Sequence, residues 1–177
     1  VKVDNLAPGT YSYTEKEAPS GYVKNTGTHT FTVSEEGGAA TGDLTFVNER
    51  VKAQVVLSKV DAATNATVPG AKLAVYNAAR GVVFEGTTGS NGKLTVPNLV
   101  PGEYTFKETE APQGYKLNAE ELSFRVSGDG EVSGVTVLSN EAINVTIKKT
   151  DAATGNRVPG ATIEFFDGAE QSMGTYT

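Results

Sequence analysis

Three polar residues, Lys59, Glu108 and Asn140, each end a segment in which apolar and polar residues alternate. Alternation with a period of two is typical of β-strands, where side chains two residues apart share a face. Each of the three polar side chains is therefore predicted to point into a core together with the apolar residues that precede it. Those apolar residues are Val55 and Leu57, Tyr104 and Phe106, and Leu138.

Placing an amine, a carboxyl group and a primary amide in one core is costly unless the groups react or pair. Desolvation favours the neutral forms of Lys59 and Glu108. A neutral amine is a nucleophile, and a neutral acid can donate a hydrogen bond to the Asn140 carbonyl and pass protons to departing ammonia. Folding supplies the proximity. The residues therefore predict an isopeptide bond between Lys59 and Asn140, formed once per chain, and not an enzyme acting on external substrates.

The sequence repeats itself with a period of roughly 90 residues, which indicates tandem modules. The segment ending at Tyr115 reads VPNLVPGEYTFKETEAPQGY, and the segment ending at Tyr22 reads VDNLAPGTYSYTEKEAPSGY. A second pair begins at Val55 with VVLSKVDAATNATVPGAKLAVYN and at Val145 with VTIKKTDAATGNRVPGATIEFFD. Two independent pairs with nearly equal offsets predict one repeated structural unit.

The two offsets divide the chain into three parts. Residues 51–142 form a complete repeat, residues 1–50 match its C-terminal half, and residues 143–177 match its N-terminal half. The halves carry incomplete sets of the reactive residues, which are Glu15 and Asn48 in the first and Lys149 in the last. Residues 44–48 and 145–149 alternate as strands would, which places Asn48 and Lys149 on the same faces as the apolar residues before them. We expect the missing parts to come from further sequence, the simpler possibility, or from a second chain, whose Lys149 would then bond Asn48.

The pattern of short alternating segments and turn residues predicts an all-β fold of tandem immunoglobulin-like (Ig-like) β-sandwich modules. Residues 71–76 are predicted to alternate, and residues 90–93, Ser-Asn-Gly-Lys, are predicted to form a hairpin turn. Asp61 with Thr64, and Asp151 with Thr154, are predicted to cap turns.

These features resemble the B-type repeat of collagen-binding adhesins, a module also found in Gram-positive pilins. The resemblance lies in Lys59 followed by Asp61, in the segment ETEAPQGY at 108–115, which is similar to the glutamate box of that family, and in Asn140 at the acceptor position of the last strand. It implies a prealbumin-like sandwich in which Lys59 and Asn140 are the linked pair and Glu108 is the catalytic acid.

The resemblance further implies a stalk or pilus-shaft module of a secreted surface protein, anchored to the cell wall outside this segment, whose partners are neighbouring repeats. The alternative is an adhesin module that binds a host extracellular-matrix protein. The chain has no cysteine and a net charge of −6, which argues against disulfides, nucleic acid and anionic membranes. No cofactor or metal site is predicted, and a ligand role for the lone His29 is disfavoured.

Simpler interpretations remain open at single positions. A lysine at a strand end can extend its amine to solvent, and asparagine often closes a strand at a turn. Lys148 competes with Lys149, and Glu110 shares a face with Glu108 but lies nearer a turn, where we expect it to be exposed.

Overall fold

The computed structural model describes residues 1–36 and 39–177, and within them the chain forms strands and turns without an α-helix. The strands are β1 (Gly9–Tyr13), β2 (His29–Val33), β3 (Thr41–Gly42), β4 (Ala53–Asp61), β5 (Lys72–Asn77), β6 (Val82–Thr87), β7 (Lys93–Leu99), β8 (Gly102–Glu110), β9 (Leu122–Val126), β10 (Val132–Gly134), β11 (Val137–Asn140), β12 (Ile163–Phe166) and β13 (Ser172–Tyr176). The predicted all-β class is confirmed.

The chain separates into two compact units, Val1–Ala142 and Ile143–Thr177. Within the first unit, residues 53–140 form two sheets. One sheet has the strand order β10-β9-β8-β5-β6, and the other has the order β11-β4-β7. Neighbouring strands run antiparallel except for β4 and β11, which pair in parallel.

The inner faces of these two sheets meet in one hydrophobic core, as expected for a sandwich. The alternation of β4 places its odd-numbered residues inside, and β8 contributes Tyr104 and Phe106 from the opposite sheet. The Tyr104 and Phe124 rings stack with their centroids 5.4 Å apart. The remaining buried members of the core are Ala53, Val55, Leu57, Leu73, Val75, Leu94, Val96, Leu99, Val126 and Leu138.

Two sequence expectations about this sandwich are wrong. Residues 89–92 do form a turn, but it joins β6 in one sheet to β7 in the other, so it does not close a hairpin. Strand β5 does not alternate, because Ala74 is buried along with Leu73 and Val75. Ala74 lies between Glu85 and Lys107 in the sheet register, so two long side chains flank its small one.

The half repeat at residues 1–50 forms a smaller sheet with the order β1-β2-β3. Its apolar side is only partly covered, since Leu44 and Phe46 are exposed. Residues 44–48 were expected to form a strand like β11, but they do not. In the complete repeat β11 pairs with β4, and the described part of residues 1–50 contains no counterpart of β4.

The unit Ile143–Thr177 contains one antiparallel pair, β12 and β13. The expected strand at 145–149 does not form, and Val145 and Ile147 are exposed. The described residues of this unit include no counterpart of β7 or β11, the two strands that flank β4 in the complete repeat. Residues 1–50 and residues 143–177 thus each lack a strand that borders the corresponding segment in residues 53–140.

The predicted turn caps are confirmed. The Asp61 carboxylate accepts hydrogen bonds from the backbone N–H groups of Ala63 and Thr64, at 2.9 and 2.8 Å, and from the Thr64 hydroxyl at 2.9 Å. Asp151 accepts the same bonds from Ala153 and Thr154. The Asp61 turn ends β4 two residues after Lys59, whereas the Asp151 turn follows a segment that forms no strand.

Candidate functional site

The structure brings Lys59, Glu108 and Asn140 together inside the sandwich. Lys59 lies near the end of β4 and Asn140 ends β11, so these two residues occupy adjacent parallel strands of one sheet. Glu108 faces them from β8 in the other sheet. All three are buried, with exposed fractions of 0%, 2% and 1% for Lys59, Glu108 and Asn140.

The Glu108 carboxyl group lies between the amine and the amide. Its Oε1 is 3.6 Å from the Lys59 Nζ atom. The Asn140 Nδ2 atom donates to Oε1 at 3.0 Å and to Oε2 at 2.8 Å. One carboxyl group therefore contacts both the amine nitrogen, which would form the new amide, and the amide nitrogen, which would leave as ammonia.

Burial sets the charge state of the amine. Desolvation lowers the pKa of Lys59, and the nearby charge and hydrogen-bonding capacity of Glu108 offset this only in part. Removing an ammonium group from water disfavours its charged form, so burial shifts Lys59 toward the neutral, nucleophilic amine.

Two atoms of this site lack hydrogen-bond partners. They are the Lys59 Nζ atom and the Asn140 Oδ1 atom, both buried and without a partner among the described residues. A buried polar atom without a partner is costly and calls for an explanation. Here the two unpartnered atoms belong to the two groups that an isopeptide bond would join.

One detail of the expected arrangement is wrong. The sequence suggested that Glu108 would donate a hydrogen bond to the Asn140 carbonyl. In the structure the carboxyl group instead lies against the amide nitrogen. The reason is that Nδ2 also donates to the backbone carbonyl of Lys116 at 2.8 Å, which fixes which way the amide points.

The half repeat at residues 1–50 contains the same pairing of a carboxyl group with an amide, but no counterpart of Lys59 lies beside it. The Asn48 Nδ2 atom donates to Glu15 Oε2 at 2.6 Å and to the Val23 carbonyl at 3.0 Å. Both side chains are half-buried. The carboxyl and amide groups therefore come together even where no amine is present.

Sequence reasoning missed Asn118 and its counterpart Asn25. The backbone N–H of Asn118 donates to Glu108 Oε2 at 2.8 Å, and that of Asn25 donates to Glu15 Oε2 at 2.7 Å. A signal was present, because each asparagine follows its glutamate by ten residues and lies three residues beyond the end of its aligned segment.

The remaining candidates lie apart from this cluster. Lys149 is exposed in the unit Ile143–Thr177. Glu110 is exposed, as expected, and pairs with Lys72 at the surface. His29 packs its ring against Tyr13 and Phe46, with ring centroids 5.2 and 5.4 Å away.

Among residues 1–36 and 39–177, no group of three or more histidine, aspartate or glutamate side chains is placed to hold a metal ion. The same residues include no helix with the length and apolar character that crossing a bilayer requires.

Comparison with known proteins gives a family match over most of the chain. The model of the SpaA prealbumin-like fold domain matches residues 1–49 and again residues 53–141. No curated protein matches the chain.

Among solved structures, the Bacillus anthracis TIE protein is 30% identical with a TM-score of 0.69, and the match covers 97% of this chain and 32% of that one. The chain thus spans about a third of that protein. A streptococcal ancillary pilin is 28% identical over 78% of this chain and 43% of that one, with a TM-score of 0.45. A C-terminal fragment of the pilus adhesin SpaC from Lactobacillus rhamnosus GG is 19% identical over 80% of this chain and 79% of that one, with a TM-score of 0.48.

Proposed function

We propose, from the premise that the chain belongs to the family of SpaA prealbumin-like fold domains, that it is a structural segment of a Gram-positive surface protein or pilus. Its complete repeat, residues 51–142, closes itself with an isopeptide bond between Lys59 and Asn140, and Glu108 is the catalytic acid. The observation that carries the proposal is the contact of one buried carboxyl group with both the amine and the amide.

The reaction balances without any added reagent. If Lys59 begins as an ammonium and Glu108 as a carboxylate, one proton passes from Nζ to Oε1 and leaves both groups neutral. The amine Nζ then attacks Asn140 Cγ, and the new C–N bond forms. Glu108 takes the proton that Nζ loses and delivers one to Nδ2, the Cγ–Nδ2 bond breaks, and ammonia leaves. Glu108 holds one proton after the reaction, as it did just before the attack. Lys59 and Asn140 are consumed, so the chain undergoes a single turnover and is not an enzyme.

The positions of the two linked strands give the bond a mechanical role. Strand β4 is the first strand of the repeat and β11 is the last. Force applied to the two ends of the repeat would pass through the amide instead of separating the strands. Such a bond suits a stalk that contains no cysteine, since an amide resists reduction.

Neighbouring modules are the partners that this role requires, and an extracellular location with its anchor elsewhere in the protein follows from it. The B. anthracis, streptococcal and L. rhamnosus structures are named a TIE protein, a pilin and a pilus adhesin, which supports a surface role. No feature of residues 1–36 and 39–177 favours the alternative, a module that binds a host matrix protein.

The half repeats fit the same scheme. Residues 1–50 supply Glu15 and Asn48, already in contact, and residues 143–177 supply Lys149. Together they lack only a counterpart of the turn at 89–92, which joins the two sheets in the complete repeat. A break in a turn between β-strands is well tolerated. When the 177-residue chain is alone in solution, a second copy can complete each half.

Intact-mass spectrometry of the denatured chain and its variants tests the proposal. The monomeric fraction of the wild-type chain should be lighter than its sequence mass by one ammonia. The monomeric fractions of Lys59→Ala, Asn140→Ala and Glu108→Ala should each have the full sequence mass. Lys72→Ala, a control at an exposed lysine that pairs with Glu110, should still lose ammonia. A wild-type chain at its full sequence mass would overturn the proposal.

A further inference from the structure

The two oxygens of the Glu108 carboxyl group have different neighbours. Oε1 faces the Lys59 amine at 3.6 Å. Oε2 accepts the backbone N–H of Asn118 at 2.8 Å. The Asn140 amide nitrogen lies within hydrogen-bonding distance of both oxygens. The bond from Asn118 fixes the carboxyl group by one oxygen and leaves the other oxygen turned toward the amine.

The Asn118 side chain is itself held at both ends. Its Nδ2 atom donates to the backbone carbonyl of Ser139 at 2.8 Å, on the strand that carries Asn140. Its Oδ1 atom accepts the backbone N–H of Glu120 at 3.0 Å. One residue thus connects the glutamate on one sheet to the strand that presents the acceptor amide on the other.

The same set of bonds occurs around Asn25 in the half repeat. Its backbone N–H donates to Glu15 at 2.7 Å, its Nδ2 atom donates to the Val47 carbonyl at 3.0 Å, and its Oδ1 atom accepts the backbone N–H of Gly27 at 2.8 Å. This half repeat has no lysine strand among its described residues. The arrangement therefore does not depend on the amine.

The residue two positions before each asparagine completes the arrangement. The Lys116 carbonyl accepts a hydrogen bond from the Asn140 amide nitrogen, and the Val23 carbonyl accepts one from Asn48. These bonds keep the amide nitrogen, and not the amide oxygen, beside the carboxyl group. The leaving nitrogen thereby stays next to the group that must protonate it.

We propose that Asn118 is a positioning residue for the cross-linking reaction, and that Asn25 serves the same purpose in the half repeat. Asn118 acts through Glu108 and Asn140, since it aims one carboxyl oxygen at the amine and ties the carboxyl group to the acceptor strand. This inference rests on the proposed isopeptide bond. It adds a requirement for an asparagine ten residues after the catalytic glutamate.

The test measures how fast the bond forms. The chain is made by cell-free synthesis, samples are quenched in acid at intervals, and intact mass reports the fraction that has lost ammonia. Asn118→Ala and the isosteric Asn118→Asp both remove the bond to Ser139. Each should slow the reaction about ten- to a hundredfold, because a misplacement of about 1 Å at a catalytic group can cost about a hundredfold. Asn77→Ala, which removes a turn bond to Gly81 away from the site, should leave the rate unchanged.

A second readout separates positioning from general stability. In the unlinked Lys59→Ala chain, the backbone N–H of residue 118 should give a downfield NMR signal typical of a donor to a carboxyl group. Adding Asn118→Ala should shift that signal upfield while thermal unfolding stays close to that of Lys59→Ala. If Asn118→Ala unfolds this chain, Asn118→Asp supplies the comparison, because it keeps the turn bond to Glu120.

The outcomes distinguish the two proposals. A linked wild-type chain with Asn118 variants that react equally fast overturns the role of Asn118 and leaves the isopeptide bond standing. An unshifted N–H signal does the same. A wild-type chain that never loses ammonia overturns the proposed function and this inference with it.

Discussion

Replacing Glu108 with glutamine removes the group that carries protons between Lys59 and Asn140 but keeps the size of the side chain. The amide oxygen of a glutamine can still accept the hydrogen bonds that the Asn118 N–H and the Asn140 amide donate to the carboxyl group. The non-covalent structure should therefore persist. The chain should fold but remain unlinked, so the effect of the covalent bond is isolated from the effect of lost packing.

The magnitude follows from the positions of the linked residues. A bond between Lys59 and Asn140 closes a loop of roughly 80 residues, and the chain-entropy relation for cross-links gives about 4.5 kcal/mol for that loop. For a domain of this size, each 1 kcal/mol shifts the melting temperature by about 4–8 °C. Glu108→Gln should therefore lower the melting temperature of the complete repeat by roughly 20–35 °C.

Scanning calorimetry of the wild-type chain and the variant, with intact mass measured on the same samples, makes the comparison. Glu110→Gln is the matched control, because Glu110 pairs only with exposed Lys72, and a surface pair contributes about 1 kcal/mol or less. A Glu108→Gln chain that still loses ammonia would refute the catalytic role. An unlinked chain that melts within a few degrees of wild type would refute the stabilising role.

Three further outcomes are expected. In unlinked Asn140→Ala, the stability of the fold should rise with pH between the lowered pKa of Lys59 and its ordinary value of 10.5, because in that window the unfolded chain binds more protons than the folded chain. Chemical denaturation at several pH values measures this, and a flat or falling profile would contradict it. Hydrogen bonds from Thr64 and Ala63 lower the pKa of Asp61 below its ordinary value of 3.8. Asp61→Ala should therefore destabilise the chain near neutral pH and make little difference to stability at a pH well below 3.8, and an equal loss of stability at both pH values would contradict this. If Lys149 of one chain bonds Asn48 of another, the wild-type chain alone should give a ladder of covalent oligomers on a denaturing gel. A mixture of Lys149→Ala and Asn48→Ala chains should stop at dimers, and monomer bands alone would rule out covalent completion by a second copy.

The sequence was sufficient to predict the burial and meeting of Lys59, Glu108 and Asn140. Each residue follows apolar residues at spacings of two, and side chains two residues apart in a strand share a face, so each of the three must face the core. The internal repeat supplied a second copy of the pattern, which made coincidence an inadequate explanation. The all-β class followed from the same alternation.

Other features depended on contacts between residues distant in sequence. Turn residues at 89–92 indicate a reversal of the chain, but whether the next strand pairs with the preceding one or crosses to the other sheet depends on the whole sandwich. Strands at 44–48 and 145–149 were predicted from local pattern and fail to form, since a strand also needs a partner to bond.

The role of Asn118 was invisible for a related reason. Its bond to the carboxyl group uses the backbone N–H, which every residue except proline possesses, so residue type alone gave no indication. Only the spacing from Glu108, repeated between Glu15 and Asn25, could have revealed it. The orientation of the Asn140 amide likewise depends on the Lys116 carbonyl, whose position follows from the fold.

Peptide mapping of the wild-type chain by tandem mass spectrometry tests the central claim most directly. Digestion should release one branched peptide in which the Lys59 side chain is joined to the Asn140 side chain, with the mass of the two parent peptides less one ammonia. The separate peptides that contain Lys59 and Asn140 should be absent. Recovery of both parent peptides unlinked, or of a branch at Lys72 or Lys116 instead of Lys59, would contradict the account.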